Sequence, residues 1–528
     1  MHMKLFWGLL YLVASALAQD RQFPVLRVHK NELQLYFVEA FLGTPGQQQS
    51  LCVDISHPYT WVISGKIYEI CNRPNGGCLT GNLYYPGASS TNEELDSGRE
   101  YNLRYRDGVN ITGTVERDVA NITLNNGVLL LTKMLFFSSE LSNLLQGSLG
   151  LGDQYIVGDE SDVVNSNNGG FSFLQRLKDS NLIETSSYSL WLANDTTTID
   201  DFGLKVQDTG RLLMGAVDPQ YYKGPLYQYD TVPVEYSGNE VGHHREFALP
   251  LTKVSISTTD GASLNLTSPN FTEVTVLNTR FHESYIPIDL LLQIAMQTNA
   301  VYVNSWDRWF VDCDLTKYNA TLSFEFGETK INVPLSHFID TSRRGAAPTT
   351  STSTPTNETC YLGLYPNIEK GFSMLGANFL RSTYLAVDME GQSFAIAQAK
   401  LGSERDTSNI AAIKSGSIPF AKSASQVLAS PVTLTISDIS KSTVFPNTYS
   451  VLNDPGSDLL TTRSFYSTSR SYSQSSTSSS SSAEVVSSNG LGRRAQTLDA
   501  TNFIASNSLQ FMKYIVAVGL IFIIGVVV

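Results

Sequence analysis

The sequence predicts a mainly β protein built as two lobes, and three observations carry that expectation. Short stretches of alternating apolar residues, broken by Gly, Asn or Asp, recur from Leu33 to about Lys400. Helical periodicity is scarce over the same span. The span is also too long for one ordinary sheet-based core, so two β-rich lobes are expected, over 33–200 and 201–400.

The chain opens with a short basic start, an apolar run from Leu5 to Leu17, and small residues at Ala16 and Ala18. That pattern is a secretory signal peptide over residues 1–18, cleaved after Ala18. Strand signals follow in LQLYFVEAFLG, SLCVDIS, REYNLRYRDG, ITGTVERDVANITL, TGRLLMGAV and TLSFEFG. Two helices are expected. In IPIDLLLQIAMQTNA, Ile288, Leu291, Leu292 and Ala295 share a face and Pro287 stands near the start; GGFSFLQRLKDSNLI is the second. The tract at 341–359 is read as a solvated loop inside the second lobe. Beyond Lys400 the character changes. Residues 401–499 are read as a Ser/Thr-rich linker and stalk, since the serine run at 461–488 cannot bury enough apolar surface to fold. The terminal apolar run, Tyr514–Val528, is shorter than the ~20 residues a spanning helix needs. Residues 500–528 are therefore read as a glycosylphosphatidylinositol attachment signal, with attachment at Asp499 or Ser488; the alternative is one membrane helix slightly under length.

Composition agrees with an outside location. Seven Asn-X-Ser/Thr acceptors occur, at Asn110, Asn121, Asn194, Asn265, Asn270, Asn319 and Asn357, and in a secreted chain they imply surface glycans. The five cysteines allow two bridges, Cys71–Cys78 and Cys313–Cys360, with Cys52 left as a buried thiol. A formal charge of −13 disfavours nucleic acid. No cofactor or metal is expected.

The chemistry begins at Asp54, which follows the apolar approach LCV and precedes Trp61 by seven residues. With FLGTPGQ before it, Tyr105 in LRYRDG, GSLGLG at 147–152, GRLLMGAVD at 210–218 and MLGANFLRSTYLAVD at 374–388, the chain resembles the pepsin-like aspartic peptidases. Its layout is most similar to their fungal surface branch, the yapsins. The resemblance spans roughly residues 33 to 400 and implies a bilobal β fold. Each lobe would supply an Asp-Thr/Ser-Gly triplet to the floor of a peptide-binding cleft, under a hairpin flap bearing a tyrosine, here Tyr105. Two such carboxylates share one proton and activate a water between them. The family also implies a prosegment of some forty residues, for which the fourteen between signal peptide and first strand leave no room.

Both triplets depart from that pattern. The first reads Asp54-Ile55-Ser56, with no hydroxyl at the second place. The second, aligned through Tyr285 and Pro287, reads Asn278-Thr279-Arg280: an amide where the carboxylate belongs and a cation where glycine belongs. An Asp54–Arg280 ion pair is expected to hold Asp54 ionised. Two literal triplets elsewhere are read as structural, Asp96-Ser97-Gly98 as a turn and Asp208-Thr209-Gly210 as part of a strand block. Asp289 belongs to the helix, and His282 and Glu283 to a polar cleft rim. The reading is a surface glycoprotein, impaired in catalysis, that acts through its cleft on a peptide or protein, or in wall organisation. It would be held to the membrane by its lipid anchor or to wall glucan. The alternative is an active aspartic endopeptidase that processes secreted or wall proteins.

Overall fold

The computed structural model describes residues 23–31, 34–67, 83–105, 107–144, 146–153, 172–194, 196–199, 205–236, 245–303, 308–345, 358–402, 409–428 and 432–434. The signal peptide, Cys71 and Cys78, Asn357, the chain from 435 onward and both anchor sites lie outside these residues.

The expected strands form where side chains alternate between core and solvent. Tyr36–Leu42, for example, buries Tyr36, Val38, Ala40 and Leu42 and turns Phe37, Glu39 and Phe41 outward. The first lobe is organised by one long hairpin, Asn110–Leu124 paired antiparallel with Gly127–Ser142. The lobes share a sheet. Ser187–Trp191 pairs on one side with Lys205–Met214 and on the other with Thr383–Asp388, while Val25–Lys30 runs antiparallel to Lys205–Met214. In the second lobe, Glu273–Leu277, Ser373–Leu375 and Ser284–Ile286 form a smaller sheet.

The helices occur where the sequence places them. Ser172 accepts a hydrogen bond from the Gln175 amide and caps the helix Phe173–Asp179. The helix Ile288–Gln297 starts after Pro287 and buries Leu290, Leu291, Ile294 and Ala295, so its inward face is rotated from the expected one and leaves Ile288 and Leu292 only partly covered. Cys313 and Cys360 are bridged, with Cα atoms 5.0 Å apart. Closing a 47-residue separation in this way removes about 4 kcal/mol of unfolded-chain entropy in the loop-closure picture. Cys52 is free and buried, and burial foremost pushes its thiol up to about 11.

Two expectations need correction. The folded part does not stop at 400: Ala411–Ala412 pairs with Ala216–Val217, Ala421–Ser423 runs parallel to Leu226–Gln228, and Val432–Leu434 runs parallel to Val234–Tyr236. Ile413, Ile418 and Val432 bury their side chains there. The segment covers apolar edges that composition alone did not assign to it. Asn194 is also not a surface acceptor. It is 3% exposed, three residues beyond the strand Ser187–Trp191, and its backbone amide donates to the Thr209 carbonyl. Asn265, Asn270 and Asn319 are exposed, and Asn110 and Asn121 half-buried.

Candidate functional site

Each lobe builds its half of the site in the same way. The strand Gln47–Asp54 lies parallel to Ser148–Gly150, with Gly150 opposite Asp54; Glu273–Leu277 lies parallel to Ser373–Leu375, which places Gly376 next to Asn278. The Gly150 amide donates to Thr60 Oγ1 at 3.2 Å and the Gly376 amide to Ser284 Oγ at 2.9 Å; each acceptor stands six residues after its lobe's Asp54 or Asn278. Ser148 pairs with Trp61 and Met374 with Tyr285, seven residues after the same positions. A side chain on Gly150 would collide with the backbone of Pro58 and Tyr59, and one on Gly376 with the Glu283 carbonyl. Asp54 and Asn278 therefore occupy matching places in strand register and in these two framing bonds.

The turns that follow also match. Asp54 Oδ1 accepts from the Ser56 amide at 3.1 Å, and Asn278 Oδ1 from the Arg280 amide at 2.7 Å. Thr279 crosses between the lobes: its hydroxyl donates to the Val53 carbonyl at 2.5 Å and accepts from the Ile55 amide at 3.1 Å. Ile55 returns no such bond, as expected of a side chain without a hydroxyl.

Asp54 and Asn278 do not meet directly. His57, from the same turn as Asp54, places Nδ1 2.7 Å from Asp54 Oδ2 and Nε2 3.2 Å from Asp107 Oδ2. Asn278 Nδ2 donates to that same Asp107 oxygen at 3.1 Å. The floor is thus a chain, Asp54–His57–Asp107–Asn278, and every member is buried. Asp107 belongs to the turn of the hairpin formed by Tyr101–Arg104 and the start of Asn110–Leu124. Tyr105, in that turn, lies over the imidazole with ring centroids 3.9 Å apart. Lys370 of the second lobe donates to the Asp107 carbonyl at 2.6 Å and rests 3.7 Å from the Phe281 ring centroid.

The electrostatics follow from that packing. Burial alone would lower the His57 pKa, but the carboxylates of Asp107 and Asp54 overcome it and raise the imidazole to about 10, so it is an imidazolium at neutral pH. Burial opposes ionisation of Asp107, yet the His57 charge, then Lys370 and the Val109 amide, hold its carboxyl well below the usual range. Burial lowers Lys370.

The expected Asp54–Arg280 pair is overturned. Arg280 donates to the carbonyls of Gln146 at 2.5 Å and Gly147 at 3.3 Å, and its guanidinium lies 5.3 Å from the Trp61 ring centroid. Two buried carbonyls and an aromatic face draw it aside, while His57 has already satisfied Asp54. His282 is not a cleft rim either: it is 6% exposed, and burial lowers its pKa to about 4. Asp96-Ser97-Gly98 is a turn with Ser97 and Gly98 at positive φ, and Asp208 sits within the strand Lys205–Met214, paired opposite His29. Among the described residues, no group of three or more His, Cys, Asp or Glu side chains gathers to hold a metal.

Sequence reasoning missed His57, Asp107 and Lys370. The first two lie three residues after Asp54 and two after Tyr105, inside stretches already singled out. A His so close to a catalytic-type Asp was a usable signal; Lys370 had none.

Comparison with known proteins agrees with this fold. The family model for eukaryotic aspartyl protease matches residues 35–399. The chain is 32% identical over 440 residues to "Aspartic proteinase yapsin-7" of Saccharomyces cerevisiae, covering 76% of this chain and 73% of that one. It is 26% identical to "Probable aspartic-type endopeptidase opsB" of Aspergillus oryzae, covering 77% and 76%, and 26% identical to "Aspartic proteinase yapsin-3" of Saccharomyces cerevisiae, covering 73% and 70%.

Proposed function

The chain belongs to the eukaryotic aspartyl protease family, and from that premise we propose that it is a yapsin-like surface protein that does not hydrolyse peptides and works through its cleft. One observation carries the reading: the place equivalent to Asp54 holds Asn278, and Asp54 itself is engaged by an imidazolium and two backbone amides. An amide cannot carry the shared proton, and an Asp54 oxygen bonded to His57 is a poor base for water. Losing one proton-transfer role costs about 10²–10⁴ in rate, and coupled roles cost more.

The signal sequence, the acceptor asparagines and the apolar C-terminal run support a secreted glycoprotein with a lipid anchor on the outer face of the plasma membrane or in the wall. Among the described residues, no helix is long and apolar enough to cross a membrane.

A second reading, an active endopeptidase, is favoured by Asp107, which brings another carboxylate to the same floor, and by the names of the relatives. The test is hydrolysis of a broad peptide library by the wild-type protein between pH 3 and 6, run beside Asn278→Asp with Arg280→Gly. No wild-type turnover is expected. Turnover that an aspartic-peptidase transition-state analogue blocks and Asp54→Ala abolishes would establish the second reading instead.

A further inference from the structure

Asp107 is bound as a peptide residue would be. Its carboxylate oxygen Oδ2 receives His57 Nε2 from the first lobe and Asn278 Nδ2 from the second, at 3.2 and 3.1 Å. Its main-chain carbonyl receives the Lys370 ammonium at 2.6 Å, and Phe281 supports that ammonium through its ring face. Its other carboxylate oxygen is kept by its own turn, through the Val109 amide at 3.1 Å. Two lobes therefore converge on one acidic residue presented by a hairpin tip. The rest of the hairpin packs on its own cluster of Tyr101, Leu103, Val109 and Ile111 with Tyr59 and Trp61, so the strands do not depend on that contact. Gly108, at φ +93, sets the sharp turn that aims Asp107 downward.

Withdrawing Asp107 would leave the His57 imidazolium with Asp54 alone, Asn278 with a buried unpaired N–H, and Lys370 without its carbonyl. The floor then carries an excess of positive charge and two donors aimed at one point, which is a receptor for a carboxylate. We infer that Asp107 is an internal ligand, and that the cleft binds acidic peptides whose carboxylate and adjoining carbonyl displace it from His57, Asn278 and Lys370. This rests on the non-catalytic reading, because it treats the floor as a binding site. The titratable and charged groups facing the incoming carboxylate are His57, Asp54 and Lys370, with Asp107 as competitor.

The experiment measures binding of three labelled hexapeptides to the full chain expressed in a secretory host, by fluorescence anisotropy at pH 6, with mass spectrometry of the peptide afterward. One peptide has an internal Asp and an amidated end, one has neutral side chains and a free C-terminal carboxylate, and one is neutral throughout. In Asp107→Ala, at least one carboxylate peptide should bind tenfold or more tighter than to wild type, and the neutral one should not change. Asp107→Asn provides the same test with the smallest change of shape, and His57→Gln placed on Asp107→Ala should remove the preference. Preference for the internal Asp identifies a side chain as ligand; preference for the free end identifies a chain terminus. Equal binding of all three to Asp107→Ala and Asp107→Asn, or binding of none, overturns the inference while the peptides remain intact. Cleaved peptides overturn the non-catalytic reading itself, whatever the binding order.

Discussion

The turn after Asp54 and the turn after Asn278 share a backbone and differ in nearly every side chain that matters. Asp54, Ile55, Ser56 and His57 correspond to Asn278, Thr279, Arg280 and Phe281. In the first lobe the carboxylate is neutralised by the ring three residues later. In the second the corresponding ring is Phe281, which accepts the Lys370 ammonium on its face. Thr279 supplies both interlobe bonds that Ile55 cannot return. The comparison teaches that the two tips are framed by the backbone and by Thr60, Ser284 and Thr279 rather than by the tip side chains themselves. Those bonds hold regardless of whether the residue at the tip ionises.

The largest test of this asymmetry is truncation of the two tip residues. Asp54→Ala should cost about 3–5 kcal/mol in denaturant unfolding, since it strips a partner from a buried imidazolium and two amides. Asn278→Ala should cost about 1–3 kcal/mol, the cost of a neutral group and its unmet partners. Equal losses would mean that the two tips are not electrostatically different.

The next test uses pH. His57 has its folded pKa raised to about 10 from an ordinary 6.5, between Asp54 and Asp107 and beneath Tyr105. Its stabilising contribution is fully present below about 6.5 and is lost as pH rises toward 10, at about 1.4 kcal/mol per pH unit. Asp107 has the opposite sign: its depressed pKa stabilises above the usual carboxylate range and is lost as pH falls through the folded value. Stability of the wild type should therefore decline between pH 7 and 9.5. His57→Phe, which copies the second lobe, should flatten that decline. A wild-type profile that matches the variant's would remove the imidazolium from the account.

The smallest effect concerns the interlobe hydroxyl. Thr279→Val leaves the Ile55 amide and Val53 carbonyl unpaired and should lower stability by about 2 kcal/mol. Ile55→Thr, which offers the missing half but takes apolar volume from a fully buried position, should lower it by only about 1 kcal/mol. If both substitutions have the same effect, the one-sided grip is not what ties the lobes.

Much of this molecule was legible from its residues. Alternation and turn residues disclose the β lobes, and Pro287 and Ser172 mark where helices begin, because those signals are local and act within a few residues. The equivalence of Asp54 with Asn278 was legible too, since Thr279, Tyr285, Pro287 and the glycine-bearing blocks keep their spacing. The sequence alone determined that Asn278 stands where the family resemblance implies a second aspartate. Only the tertiary structure decided what became of Asp54. Whether Arg280 or His57 meets Asp54, and that Asp107 descends from the hairpin tip to join them, depends on contacts between residues as far apart as Asp107 and Asn278. The choice is made by competition among buried donors and acceptors. Arg280 takes the carbonyls of Gln146 and Gly147, His57 takes the carboxylate within reach of its own turn, and no pattern along the chain records which bond each finds shorter.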